Sequence, residues 1–118
     1  MWARNNRNGW DPGEVLAKQL AMNEQTWAAL QTHGVTPESE LRLDFFYGAP
    51  SREAADELAA FLREQTDYEV SAADDAVAGH TQPTTLDLAK LNQWVEWMVA
   101  AGAAKGRCEF DGWGAQVP

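Results

Sequence analysis

One cysteine, nine basic residues against eighteen acidic ones, two histidines and no long apolar run: what this chain has little of narrows its chemistry before any motif is considered. With Cys108 alone there is no intramolecular disulfide and no zinc site built of thiolates only. The setting Arg107-Cys108-Glu109-Phe110 has strand character and no feature that would stabilise a thiolate, so a buried, unreactive thiol is expected. No stretch approaches the roughly 18 apolar residues of a membrane-spanning helix. The first ten residues hold Arg4 and Arg7 with no hydrophobic segment behind them, which is not a secretory signal, and a cytoplasmic location is expected. The scarcity of positive charge matters most. A net charge of −9 repels phosphate backbones and attracts basic partners, so direct nucleic-acid binding is disfavoured. The plainer reading of the same acidity is solubility.

What is present suits one soluble domain. A length of 118 residues with 45% hydrophobic and 23% charged residues allows a single modest core. Six tryptophans are many for this length, and large rings serve both cores and interfaces. Residues 1–10 read as a flexible basic lead and 11–118 as the domain.

Along the chain, Asp11-Pro12-Gly13-Glu14 is a helix start, with Asp as N-cap and Pro at the first helical position. Leu16, Leu20, Trp27 and Leu30 follow at helical spacing, Asn23 and Glu24 interrupt that stripe, and His33-Gly34 closes the helix. Thr36–Ser39 is a linker. Leu41, Leu43, Phe45 and Tyr47 alternate with Arg42, Asp44 and Phe46, the period of a strand. Ser51 caps a second helix with Ala54, Ala55, Leu58, Phe61 and Leu62 on its apolar face. A second strand starts at Tyr68-Glu69-Val70, residues 71–75 turn, and 76–81 is a short third strand. Pro83-Thr84-Thr85 precedes a helix carrying Leu88, Leu91, Val95, Met98 and Val99, with Gly106 as terminator. A last strand over 107–110 leads into Asp111-Gly112-Trp113-Gly114. After the first helix the order is β-α-β-β-α-β. Right-handed crossovers then place both helices on one face of an antiparallel sheet, giving a ferredoxin-like α+β fold with an added N-terminal helix.

The run from Leu41 to Pro50 with Ala54-Ala55, the segment Gly79 to Leu86, and the ending Cys108-Glu-Phe-Asp-Gly-Trp-Gly114 resemble the RraB family of ribonuclease E regulators. The resemblance covers roughly residues 14 to 117. It implies an α+β sandwich that binds the endoribonuclease and lowers its RNA-degrading activity, with no catalysis and no cofactor of its own.

Candidate chemistry is sparse. His33 at a helix end favours the C-terminal dipole over catalysis. His80 with Asp74 and Asp75 is the one group that suggests a metal or a small ligand-dependent enzyme, but it lacks ligand spacing. Gly112-Trp113-Gly114 has neither Rossmann nor Walker spacing. Glu109 and Asp111, two apart on a strand, read as a solvated face rather than an acid pair. Trp94 is expected in the core and Trp97 at its edge, against the other helix or a partner.

The strand residues out of register with the core make a poor platform for stacking RNA bases and a better dock for a basic protein segment. Phe46 is the expected anchor and Asp44, Glu69, Glu109 and Asp111 the charge partners. Trp113 is expected to fold back as a lid, with partner contact the alternative. Against this stands a structural reading in which the first helix covers the same face. An acidic adaptor or homodimerisation domain with no ribonuclease partner is the other functional class.

Overall fold

A computed structural model describes residues 10–116. It contains three helices, α1 (Pro12–Thr32), α2 (Arg52–Gln65) and α3 (Leu88–Ala104). Its five strands are β1 (Glu40–Gly48), β2 (Glu69–Ala72), β3 (Ala76–His80), β4 (Thr84–Thr85) and β5 (Glu109–Gln116). The expected basic lead lies outside the described residues except for Trp10. Its carbonyl accepts from Arg107 at 3.3 Å, and its ring lies 5.0 Å from that guanidinium.

The helix boundaries follow from capping chemistry. Asp11, Ser51 and Asp87 each turn a side-chain oxygen onto a backbone N–H of the first helical turn, satisfying donors that have no partner within the helix. At the far ends, Gly34 (φ +92°) and Gly106 (φ +80°) adopt the left-handed conformation that stops a helix.

β1 is the centre of an antiparallel sheet, paired with β3 and with β5, while β2 pairs with β3. Leu41, Leu43, Phe45 and Tyr47 are at most 1% exposed. They pack with Leu58 and Leu62 of α2, Leu91, Val95 and Met98 of α3, and Phe110 of β5 in one core. Burying each such side chain stabilises the fold by about 1.5–3 kcal/mol before entropy is counted. The Tyr47 hydroxyl donates to the Met98 carbonyl at 2.7 Å, so the one polar group at the strand's buried end is satisfied.

Three details depart from the sequence reading. The segment before α3 is not plain linker, because Thr84–Thr85 pair with Leu41 and Glu40 as β4. The register moves from Asp44↔His80 to Leu41↔Thr84, one extra residue, so β3 and β4 are successive stretches along β1. Pro83, which has no N–H to give, lies in the interruption. Thr81 bridges it: its backbone N–H donates to the Leu43 carbonyl and its hydroxyl accepts from the Leu43 N–H.

β2 runs on to Ala72, leaving a shorter turn than residues 71–75. β5 is longer than expected, running through Asp111-Gly112-Trp113-Gly114 to Gln116. A bulge makes this possible. Tyr47 faces Phe110 and Phe46 faces Gly112, which leaves Asp111 as the additional residue. Gly112 takes φ +137°, a conformation that costs a side chain dearly. Phe110 and Trp113, three apart, therefore both turn toward the helices. Trp113 accordingly folds back onto the domain, as a strand residue held against α1.

Of the two readings the sequence leaves open for α1, the structure has the one in which it does not lie over the open face of the sheet. It packs on α3 and the edge strand β5. Its buried positions are Gln19, Asn23, Trp27 and Leu30, with Leu16 only partly buried. Asn23, which interrupts the apolar stripe, is fully buried. Its amide N–H donates to Asn92 Oδ1 of α3 at 2.9 Å, and its Oδ1 accepts from the Trp113 indole N–H at 2.8 Å. A polar residue satisfied by two elements fixes the helix where an apolar stripe alone would let it slide.

Asn23→Ala strands the Trp113 indole and the Asn92 carbonyl oxygen, and should cost about 1–3 kcal/mol in urea unfolding, with the fold retained. Asn23→Asp keeps the acceptor but sets a fully buried carboxylate against the Asn92 carbonyl oxygen, so at neutral pH it should cost at least as much as Asn23→Ala.

Candidate functional site

The face of the sheet turned away from α2 and α3 is open, and the strand register assembles it in rows. Phe46 stands between Ala78 on β3 and Gly112 on β5. Its neighbours being small, the ring projects, and it is 49% exposed. In the next row Asp44 faces His80 and Gly114, and His80 faces Glu69 on β2. His80 Nε2 lies 3.2 Å from Glu69 Oε2. Gln116 donates to both Asp44 carboxylate oxygens, at 3.1 and 3.3 Å, and so holds that side chain flat on the sheet. Glu109 pairs with Gly48, two residues along β1 from Phe46.

Four of the six expected docking residues, Asp44, Phe46, Glu69 and Glu109, thus share one face by register. Asp111 sits at the bulge on its margin, exposed. Trp113 belongs to the other side, half-buried and bonded to Asn23. Glu109 and Asp111 also line a hollow of about 250 Å³ at the start of α1, with Trp10, Asp11, Glu14 and Lys18. Among the described residues that line it, Asp11, Glu14, Glu109 and Asp111 are acidic and Lys18 is basic. This corner could not be read from the strand pattern, because it needs the position of α1.

The alternative centre around His80 does not assemble. Asp75 precedes β3 and His80 ends it, on the order of 16 Å apart at the rise of an extended strand. Asp74 instead lies 3.5 Å from Arg52, and His80 turns to Glu69. Among the described residues no group of three or more His, Cys, Asp or Glu is placed to hold a metal ion. His33 caps α1 through its backbone N–H, as its position beside Gly34 suggested. Cys108 is fully buried, its thiol 3.6 Å from the Ala54 carbonyl.

A second hollow, of about 290 Å³, opens between the β3–β4 interruption and the start of α3, with Tyr68, Trp94, Thr81, Gln82 and Lys90 in its wall. Trp94 donates its indole N–H to the Tyr68 hydroxyl at 2.9 Å and meets Phe110 edge-on. Trp94 is therefore half core, half wall. The strand and helix periods do not announce this hollow, since its residues come from four separate segments.

Two tyrosines are perturbed. Burial pushes the Tyr47 hydroxyl well above the ordinary tyrosine range, with Cys108 and Tyr68 adding to it. Burial also raises Tyr68, against the opposing hydrogen bond from Trp94. Both changes keep the phenols neutral, and neither creates a base or nucleophile at neutral pH.

The class these features define is a small mixed α/β domain, with an antiparallel sheet backed by helices on one side. No helix among the described residues is long and apolar enough to cross a membrane. The chain belongs to the RraB family: residues 20–115 match the family described as regulator of ribonuclease activity B. The match runs from the middle of α1 into β5 and includes the open face except Gln116. The family's description is of a regulator, not a catalyst. No individual curated protein matches the chain.

The Tyr47 shift fixes a pH dependence. The folded state holds this proton more tightly than the unfolded chain, whose tyrosine ionises near pH 10. Its contribution is complete below that pH and is lost as pH rises further. Alkaline unfolding should therefore steepen above about pH 10, and Tyr47→Phe should flatten that limb. The same variant should cost about 1 kcal/mol at neutral pH through the lost bond to Met98.

Proposed function

We propose that this protein is a non-catalytic regulator that binds a ribonuclease E-type endoribonuclease directly and lowers its activity. The surface assigned to that binding is the open sheet face, with Phe46 as apolar anchor and Asp44, Glu69, Glu109 and Asp111 as charge partners. Trp113 supports the face from behind through Asn23. The observation that carries this reading is the pairing of a family match for ribonuclease regulation with a half-exposed phenylalanine set among carboxylates.

The physical logic is competition. Ribonucleases hold RNA with basic segments, whose affinity for phosphate comes largely from charge. A domain of net charge −9 that presents acids around one apolar anchor can occupy such a segment in place of RNA. The carboxylates steer encounter and set register, while Phe46, between Ala78 and Gly112, supplies the desolvated contact. On this reading the domain needs no cofactor, does not itself hold nucleic acid, and works in the cytoplasm. The sheet order supports a ferredoxin-like β-α-β-β-α-β plan within the described residues of the proposed domain 11–118, with α1 as the addition and β4 as a continuation of β3.

The test is capture from native lysate on immobilised protein, at low and moderate salt, with bound proteins identified by mass. A ribonuclease E-type enzyme should be recovered, and recovery should fall with salt and at least about tenfold for Phe46→Ala or Asp44→Lys/Glu109→Lys. Recovery that is indifferent to these substitutions moves the site elsewhere. Absence of any ribonuclease under both conditions favours an acidic adaptor or a homodimer.

A further inference from the structure

On the opposite side of the molecule, the helix layer carries an aromatic pair of its own, one ring half-buried and the other exposed. Phe61 of α2 and Trp97 of α3 stack at the seam between the helices, ring centroids 6.1 Å apart and planes inclined by 21°. Trp97 remains 39% exposed despite this contact. The ring pair has already attracted a cation: Lys105, at the end of α3, sets its ammonium 5.1 Å from the centre of the Phe61 ring. Glu57 and Glu64 lie four residues before and three after Phe61 on α2, on the same helical face and exposed. Ala60 and Ala100, both exposed, leave the ground beside the rings low.

We propose that this seam is a second docking surface, which takes an arginine-bearing segment of a protein partner. Charge and ring chemistry choose the occupant. A second copy of this chain would bring the same glutamates and a further net charge of −9 against the seam, with Lys105 as the cation described on the rings to oppose them. A basic segment meets the opposite balance. Arginine suits it better than lysine, because a planar guanidinium stacks on an indole while its edge N–H groups remain free for the carboxylates of Glu57 or Glu64. Tryptophan exposed at a seam between packed helices is also the residue type most often found to dominate an interface.

The surface is separate from the one around Phe46, so the protein can hold two basic segments at once, and engagement of both by one partner raises avidity without a new contact. This inference stands whether or not that partner is a ribonuclease.

The test uses a fluorescein-labelled synthetic amphipathic peptide with leucine on one face and arginine on the other, and its lysine counterpart, read by anisotropy on the full chain. With the sheet face removed by Phe46→Ala, the further changes Trp97→Ala and Glu57→Lys/Glu64→Lys should each weaken the arginine peptide about tenfold. Circular dichroism should stay unchanged, and the melting temperature should fall by only a few degrees for Trp97→Ala, through the lost stack on Phe61. Phe46→Ala should leave a Trp97-dependent share of binding intact, and the lysine peptide should bind more weakly than the arginine one. Equal binding by Phe46→Ala with and without Trp97→Ala overturns the proposal. So does loss of all binding on Phe46→Ala alone, which would assign the peptide to the sheet face.

Discussion

β1 is hydrogen-bonded along both edges, by β3 and by β5, and that pairing constrains everything else in the domain. A strand closed on both edges has only its two faces to offer. One face carries Leu41, Leu43, Phe45 and Tyr47 and is consumed by the core beneath α2 and α3. The other carries Arg42, Asp44 and Phe46 and, among the described residues, has no helix over it. Because opposite residues in antiparallel strands share a face, β1 also decides which side chains of β3 and β5 stand beside Phe46. Ala78 and Gly112 are small, and the ring is left proud.

The open face stays open because α1 is committed elsewhere. Asn23 joins α1 to α3 through Asn92 and to β5 through Trp113. Those bonds require Trp113 to point toward the helices, which in turn requires the bulge at Asp111 and the unusual backbone angle at Gly112. The same glycine that lets Trp113 turn inward leaves Phe46 without a large neighbour. Internal anchoring and external exposure therefore trace to one local distortion of β5, and neither would survive a regular strand at that place.

Much of this was legible in the chain, and the failures share a cause. Asp11-Pro12, Ser51 and Gly106 mark helix ends by local chemistry, and the alternation from Leu41 to Tyr47 marks β1. These signals act within a few residues. Asn23 was read as an interruption of an apolar stripe because its two partners lie 69 and 90 residues away. β4 was missed because Thr84 and Thr85 are too few to show a period. The inward turn of Trp113 contradicts a period of two, and only pairing with β1 reveals the bulge. Asp44, Phe46 and Glu69 were correctly placed on one face by counting alternate residues. The small neighbours that make Phe46 prominent depend on the register, which the sequence alone does not display.

The most direct measurement is a titration of isotopically labelled protein with a basic segment of a ribonuclease E-type enzyme, followed by backbone amide resonances. The account predicts that shifts concentrate at Asp44, Phe46, Glu69, Ala78, His80 and Gly112, with the strongest at the centre of β1. Shifts confined to α1 and the hollow beside β4, with Phe46 and its row unmoved, would contradict it.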